Sequence, residues 1–187
     1  MFYKLFVVTL LICIGIGYVC WDQVRTPTTA NNLILDMTLN DNNAIVPNIA
    51  FRSLDGDLYN LHDFKGKIVL LNFWATWCAP CIAEFPELLK LAKEKKEDVV
   101  LIAMSVDEKI ESIKPFLERH DFDTNLDNVI IVHDAGKAIS QDIFQTSTYP
   151  ETFTLAPNLT IAKKINGFVE WNNDEEIQIL LNTLIRH

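Results

Sequence analysis

Ile68-Val69-Leu70-Leu71-Asn72-Phe73-Trp74-Ala75-Thr76-Trp77-Cys78-Ala79-Pro80-Cys81 is the stretch that decides the fold. Its first seven residues form a near-continuous apolar run, the pattern of a central strand covered on both faces. Its end carries two cysteines two residues apart, with a proline suited to the first turn of a helix, where its missing N–H costs nothing. A strand that hands over to a helix at a Cys-x-x-Cys pair is the arrangement of a dithiol that cycles with its own disulfide.

Working outward, Cys81, Phe85, Leu88, Leu89 and Ala92 recur at helical spacing, and Glu87, Lys90, Lys93 and Glu94 face away. The spacing predicts an amphipathic helix that begins at the cysteines, with a kink at Pro86. Residues 99–106 read as a second buried strand, which completes a parallel, right-handed strand-helix-strand unit. A helix over 110–120, a short strand over 129–132 and another helix over 137–144 follow. Residues 152–155 and 161–165 form a hairpin around Ala156-Pro157-Asn158, and an amphipathic helix over 174–186 closes the chain. Upstream, 49–51 and 58–59 flank the turn dipeptide Asp55-Gly56 and predict a short hairpin. Asn60 caps a short helix to Phe64 that Gly66 ends. Alternating strands and helices predict an α/β fold, a mixed sheet with helices on both faces.

The chain has 187 residues, 49% of them hydrophobic, enough for one domain with a single core and an appendage. The appendage is 5–21, a run without a charged residue. As a helix it spans about 25 Å, just short of a bilayer core of roughly 30 Å. Lys4 can snorkel, and Tyr18 and Trp21 suit the interface. No small-x-small cleavage site follows directly, which favours an uncleaved anchor over a cleaved signal peptide. The expected organisation is a transmembrane signal-anchor over 1–21, a linker over 22–45 and a catalytic domain over 46–187. The linker is rich in Thr and Asn and broken by Pro27.

Without Lys4 the remainder holds 15 basic residues against 25 acidic ones. This acidic body has no Lys/Arg stripe, which speaks against nucleic-acid binding. Cys13 and Cys20 lie in the apolar segment, so Cys78 and Cys81 are the cysteines of the soluble part. With no further partner for a structural disulfide, the pair is intramolecular, catalytic or metal-bound. Zinc normally needs four ligands, and His62, His120, His133 and His187 show no ligand spacing, so no metal is expected.

A thiolate attacks a disulfide far better than a thiol does. At a helix N-terminus the Cys78 sulfur meets unpaired N–H groups and the positive end of the helix dipole. In Cys-x-x-Cys sites such settings bring the nucleophile to a pKa of about 3.5–7.5. Cys78, nearer the loop, is the expected nucleophile, and Cys81, one turn in, the resolving thiol. Trp77 packs or shapes the docking surface. Trp171 reads as a packing residue, and Asp174-Glu175-Glu176 as helix N-terminal charge.

The segment Phe73-Trp74-Ala75-Thr76-Trp77-Cys78-Ala79-Pro80-Cys81 resembles the active site of thioredoxin-like proteins. With Leu61-His62-Asp63-Phe64-Lys65-Gly66-Lys67 and Tyr149-Pro150-Glu151-Thr152-Phe153, it is similar to the membrane-anchored TlpA/ResA-type thiol-disulfide oxidoreductases. These include the DsbE/CcmG proteins of cytochrome c maturation. The resemblance implies a thioredoxin-like fold with a TlpA-type helix-and-strand insertion around 110–132, and a cis Tyr149-Pro150 bond beside the cysteines, where Tyr149 and Pro150 meet substrate. Thioredoxins carry an aspartate where this chain has Asn72; the resemblance places Glu84 near the cysteines as the acid instead. A carboxyl in an apolar pocket has a raised pKa and can exchange a proton with Cys81. The residues alone also allow a surface glutamate beside Phe85.

The resemblance further implies a disulfide-containing protein substrate, with apocytochrome c foremost, and a membrane thiol-reductant donor of the DsbD/CcdA kind. It implies no cofactor. The expected location is a bacterial cytoplasmic membrane, with a single pass and the domain facing the periplasmic or extracytoplasmic side. The alternatives are a general disulfide oxidase or isomerase and, in a different class, a copper-delivery protein. A peroxiredoxin is disfavoured, because Ala75 stands where that chemistry needs a threonine.

Overall fold

The computed structural model describes residues 44–186. The expected anchor and nearly all of the expected linker lie outside the described residues. Among the described residues, no helix is long and apolar enough to cross a membrane.

The apolar run forms strand β3, Ile68–Trp74, and all seven of its residues are buried. It pairs in parallel with β4 (Val99–Ser105) and antiparallel with β6 (Glu151–Leu155). β5 (Val129–His133) lies parallel to β4 at one edge, and β7 (Ile161–Asn166) closes the other antiparallel to β6. The order β5-β4-β3-β6-β7 is the expected mixed sheet. Its central strands are buried on both faces, as the unbroken hydrophobicity of β3 and β4 requires.

One face carries α1 (Ala79–Glu94), α2 (Ile113–Arg119) and α3 (Glu175–Ile185). Ile68, Leu70 and Trp74 of β3 meet Phe85, Leu88 and Leu91 of α1, Ile113 and Phe116 of α2, and Ile177 and Leu181 of α3 in one cluster. Trp74 packs at 4.6 Å, its ring tilted, against Phe85, a fully buried side chain whose truncation to Ala would cost about 3–5 kcal/mol. α1 runs through Pro86 as a single helix. The insertion is present as α2 and β5. The helix expected over 110–120 divides into a 3-10 turn, Ile110–Ser112, and the shorter α2. Pro115 fits the division: it has no N–H for an upstream carbonyl, and in the first turn of α2 that N–H is not needed.

The second face is covered differently from expectation. The helix read over 137–144 does not form; a 3-10 turn, Ala135–Lys137, is followed by irregular turns. Two local features outweigh its helical spacing. Gly136, Lys137 and Gln145 all adopt left-handed backbone. The Asp134 carboxylate takes the N–H groups of Ile139 and Ser140 at 2.9 and 2.8 Å, offering them an alternative to helical partners. The segment still delivers Phe144 onto Phe73 and Phe153, at 5.3 and 4.7 Å.

The rest of that face is crossed by the N-terminal part of the domain. It bridges Thr160 through Ile45 at one edge and Val132 through Ser53 at the other, burying Val46, Ile49, Phe51 and Leu61 on the way. The expected hairpin forms from β1 (Ala50–Arg52) and β2 (Leu58–Asn60), turning at Gly56 with φ +99°. The short helix after Asn60 is a 3-10 turn, Leu61–Phe64, whose Asp63 carboxylate accepts the Asn60 N–H at 2.7 Å.

Candidate active site

The carboxyl end of β3 opens into a tight turn that places Cys78 at the N-cap of α1. Cys78 Sγ accepts the Cys81 N–H at 3.3 Å, and the Cys78 carbonyl accepts the Ile82 N–H at 3.0 Å. One first-turn donor of the helix, the Cys81 N–H, is thus aimed at the sulfur, a geometry that favours a thiolate there. Cys78 and Cys81 are joined in a disulfide, with their Cα atoms 5.2 Å apart. Cys78 is 6% exposed and Cys81 1%, so an incoming group meets Cys78 first.

The turn before Cys78 is pinned from below. Asp107, buried just after β4, accepts the Thr76 N–H at 3.0 Å and the Thr76 hydroxyl at 2.7 Å. It also accepts the Ser105 hydroxyl at 2.6 Å, and its backbone carbonyl lies 2.8 Å from His133 Nε2. These bonds tie the cysteine turn to the ends of β4 and β5. Asp107 was not singled out from sequence, because an acidic residue after a strand has no local pattern that betrays such partners.

Trp77 is 63% exposed beside the pair. Its ring meets Tyr149 edge-on at 6.2 Å, bringing the 149–150 loop to the cysteine turn. The Tyr149-Pro150 bond is cis, and Pro150 is buried. The Pro150 carbonyl accepts the Gly167 N–H at 2.8 Å, which ties this loop to the end of β7. Trp77 and the Tyr149-Pro150 loop therefore lie side by side at the cysteine turn.

Glu84 lies one turn beyond Cys81 and is buried, 1% exposed. The surface alternative is thereby excluded. Burial pushes its carboxyl from the ordinary 4.5 up to about 7, against hydrogen bonding from Trp171, the Val169 backbone and Asn72, which pulls it down. A carboxyl balanced near neutrality is suited to giving and taking a proton. Trp171, read as packing, is fully buried as expected but also donates its indole N–H to Glu84 Oε1 at 2.6 Å. The one signal for it in the sequence is a tryptophan set among polar neighbours, Glu170, Asn172 and Asn173. Asp174 caps α3 by accepting the Ile177 N–H at 3.0 Å.

The site thus brings together a sulfur pair at a helix N-terminus, an exposed tryptophan beside the cis-proline loop and a buried carboxyl. Comparison with known proteins agrees with this chemistry. The family model described as Redoxin matches residues 40–180. Thioredoxin-like protein YneN of Bacillus subtilis (strain 168) is 30% identical over 149 residues, 78% of this chain and 80% of that protein. Thiol-disulfide oxidoreductase ResA of the same organism is 32% identical over 122 residues, 65% of each. Among solved structures, one described as a thiol:disulfide interchange protein DsbE from Chlorobium tepidum superposes with a TM-score of 0.66 at 22% identity. It covers 78% of this chain and 98% of that one, a likeness that bears on the fold, which is thioredoxin-like.

Proposed function

The chain belongs to the Redoxin family, as a thiol-disulfide oxidoreductase of the ResA/DsbE type, and on that premise we propose that it reduces disulfides of extracytoplasmic proteins while tethered to a membrane. The observation that carries the chemistry is the Cys78–Cys81 disulfide at the head of α1, with Glu84 buried one turn behind it.

In the reducing direction, the Cys78 thiolate attacks a substrate disulfide, forms a mixed disulfide and expels one substrate thiolate. Cys81 gives its proton to Glu84, and its sulfur attacks Cys78 Sγ. The Cys78–Cys81 bond forms, the mixed disulfide breaks, and the second substrate thiolate leaves with the electron pair and takes up a proton. Two electrons have passed from the dithiol to the substrate. Trp77, Tyr149 and Pro150 hold the extended substrate beside Cys78.

The finer assignment rests on the resemblance to the DsbE/CcmG group: apocytochrome c as the substrate, and a membrane donor of the DsbD/CcdA kind to restore the dithiol. The apolar run 5–21 supports a single-pass anchor in a bacterial cytoplasmic membrane, with the domain on the extracytoplasmic side. Trapping tests the assignment. Cys81→Ala leaves Cys78 unable to be resolved, so substrates stay disulfide-linked to it. Recovery of cytochrome c precursors is the expected result, and a broad set of secreted proteins without them would replace maturation with general disulfide editing.

A further inference from the structure

Two buried acceptor atoms, one on Glu84 and one on Asn72, face each other's side chains without a well-formed hydrogen bond. Oε1 accepts the Trp171 indole N–H at 2.6 Å, while Oε2 is buried and, although the Val169 backbone and the Asn72 amide lie near enough to act on the carboxyl, makes no well-formed hydrogen bond. The Asn72 side chain of β3 lies close enough to act on this carboxyl. Asn72 donates from Nδ2 to Thr152 Oγ1 at 2.9 Å, and its own Oδ1 is likewise buried without a partner. A buried acceptor left without a donor is costly, and here two stand on neighbouring side chains. One proton satisfies both: a protonated Glu84 donates from Oε2 to Asn72 Oδ1. The bonds then run in one direction, Trp171 to Glu84 to Asn72 to Thr152.

The same set also serves the carboxylate. An amide turned over about its last bond presents Nδ2 to Glu84 and Oδ1 to Thr152, whose hydroxyl reverses and becomes the donor. An aspartate at position 72 could not do this without setting two carboxyls against each other. The asparagine that stands in place of the thioredoxin-type acid is thus matched to the presence of Glu84.

We propose that Trp171, Asn72 and Thr152 are positioning residues for the proton that Glu84 exchanges with Cys81. Trp171 fixes Oε1, which makes Oε2 the oxygen that carries the proton, and the Asn72–Thr152 pair reverses as the proton comes and goes. This rests on the reading of Glu84 as the acid–base group of the cysteine pair. The relay moves no electrons: a proton leaves Cys81 Sγ for Glu84 Oε2, and the sulfur keeps the electron pair with which it attacks Cys78.

The groups around Glu84 come from four elements. From α1 they are Cys81 one turn before and Glu87 one turn after, the latter carboxylate held by Asn172. β3 contributes Asn72, β6 contributes Thr152, and the segment before α3 contributes the Val169 backbone and Trp171. No charged neighbour is among the causes acting on the Glu84 proton, so loss of one hydrogen bond is readable as a shift.

The test uses the reduced full chain and an aromatic disulfide reporter that releases one coloured thiolate when Cys78 attacks and a second when Cys81 resolves. The rate of the second step is followed against pH. Trp171→Phe keeps a large ring and removes the N–H; its inflection is expected to move up by about one pH unit, the size of one charge-assisted hydrogen bond. Asn72→Leu, which removes the amide whose hydrogen bond also favours the Glu84 carboxylate, moves it in the same direction, and applies the test on its own should Trp171→Phe fail to fold. In a Glu84→Gln background neither substitution shifts the profile. An unmoved inflection in both variants, with Glu84→Gln abolishing it, overturns the positioning roles and leaves Glu84 as the acid. An inflection that survives Glu84→Gln unchanged overturns the reading of Glu84 itself.

Discussion

Replacing Glu84 with Gln removes a carboxyl that is 1% exposed while keeping its size and one acceptor oxygen. In the unfolded chain this carboxyl titrates at the ordinary 4.5, and in the folded protein at about 7, because burial disfavours the charged form. The folded state therefore holds the proton more tightly than the unfolded state. The stability it contributes is fully present below pH 4.5, falls as the pH rises between the two values, and is gone above about 7. At 1.36 kcal/mol for each unit, the difference is about 3 kcal/mol. Urea unfolding of the oxidised protein and of Glu84→Gln, at intervals from pH 4 to 9, isolates this group, because every other titration is common to both. The gap between the two is expected to move by about 3 kcal/mol in favour of the variant across that window. A gap that stays constant with pH would refute the burial argument, whatever its absolute size.

Three further outcomes follow from the polar contacts around the site. Asp107→Ala strips the acceptor from the Thr76 N–H, the Thr76 hydroxyl and the Ser105 hydroxyl; a loss of about 3 kcal/mol in urea unfolding is expected, with faster hydrogen exchange at the Thr76 amide. Unchanged exchange there would remove Asp107 as the anchor of the cysteine turn. Lys164→Met takes away the ammonium 3.2 Å from Glu151, a carboxylate 3% exposed, and is expected to cost about 3 kcal/mol because a buried charge is left unpaired. Adding Glu151→Gln should recover most of that loss by calorimetry; no recovery would show that the lysine acts by packing over Phe153, whose ring it overlies at 5.1 Å.

What could be read from the sequence was what is local. The apolar continuity of 68–74 and 99–105 identified two buried strands, and the chemistry of Cys-x-x-Cys before a 3.6-residue period identified the site and its helix. Errors arose where a side chain competed with the backbone. Asp134 and the left-handed Gly136 undo a helix that the spacing of 137–144 supports, and the helix that holds Pro115 is shorter than expected. The Glu84 environment was half legible, since its place one turn past Cys81 follows from spacing but its burial does not. Its partner Trp171 lies 87 residues away and meets it only once β7 and α3 have folded against α1. Asn72 could be recognised as a polar residue in an apolar strand, yet its pairing with Thr152 depends on the register of β3 against β6.

The most direct measurement is the reduction potential of the Cys78–Cys81 couple, taken by equilibrating the protein with graded thiol-disulfide buffers and counting free thiols. A reductase requires a potential toward the thioredoxin end of the range, near about −270 mV, so that electrons flow from this dithiol into substrate disulfides. A value near about −120 mV, that of a strong disulfide-forming oxidant, would contradict the proposed direction of catalysis.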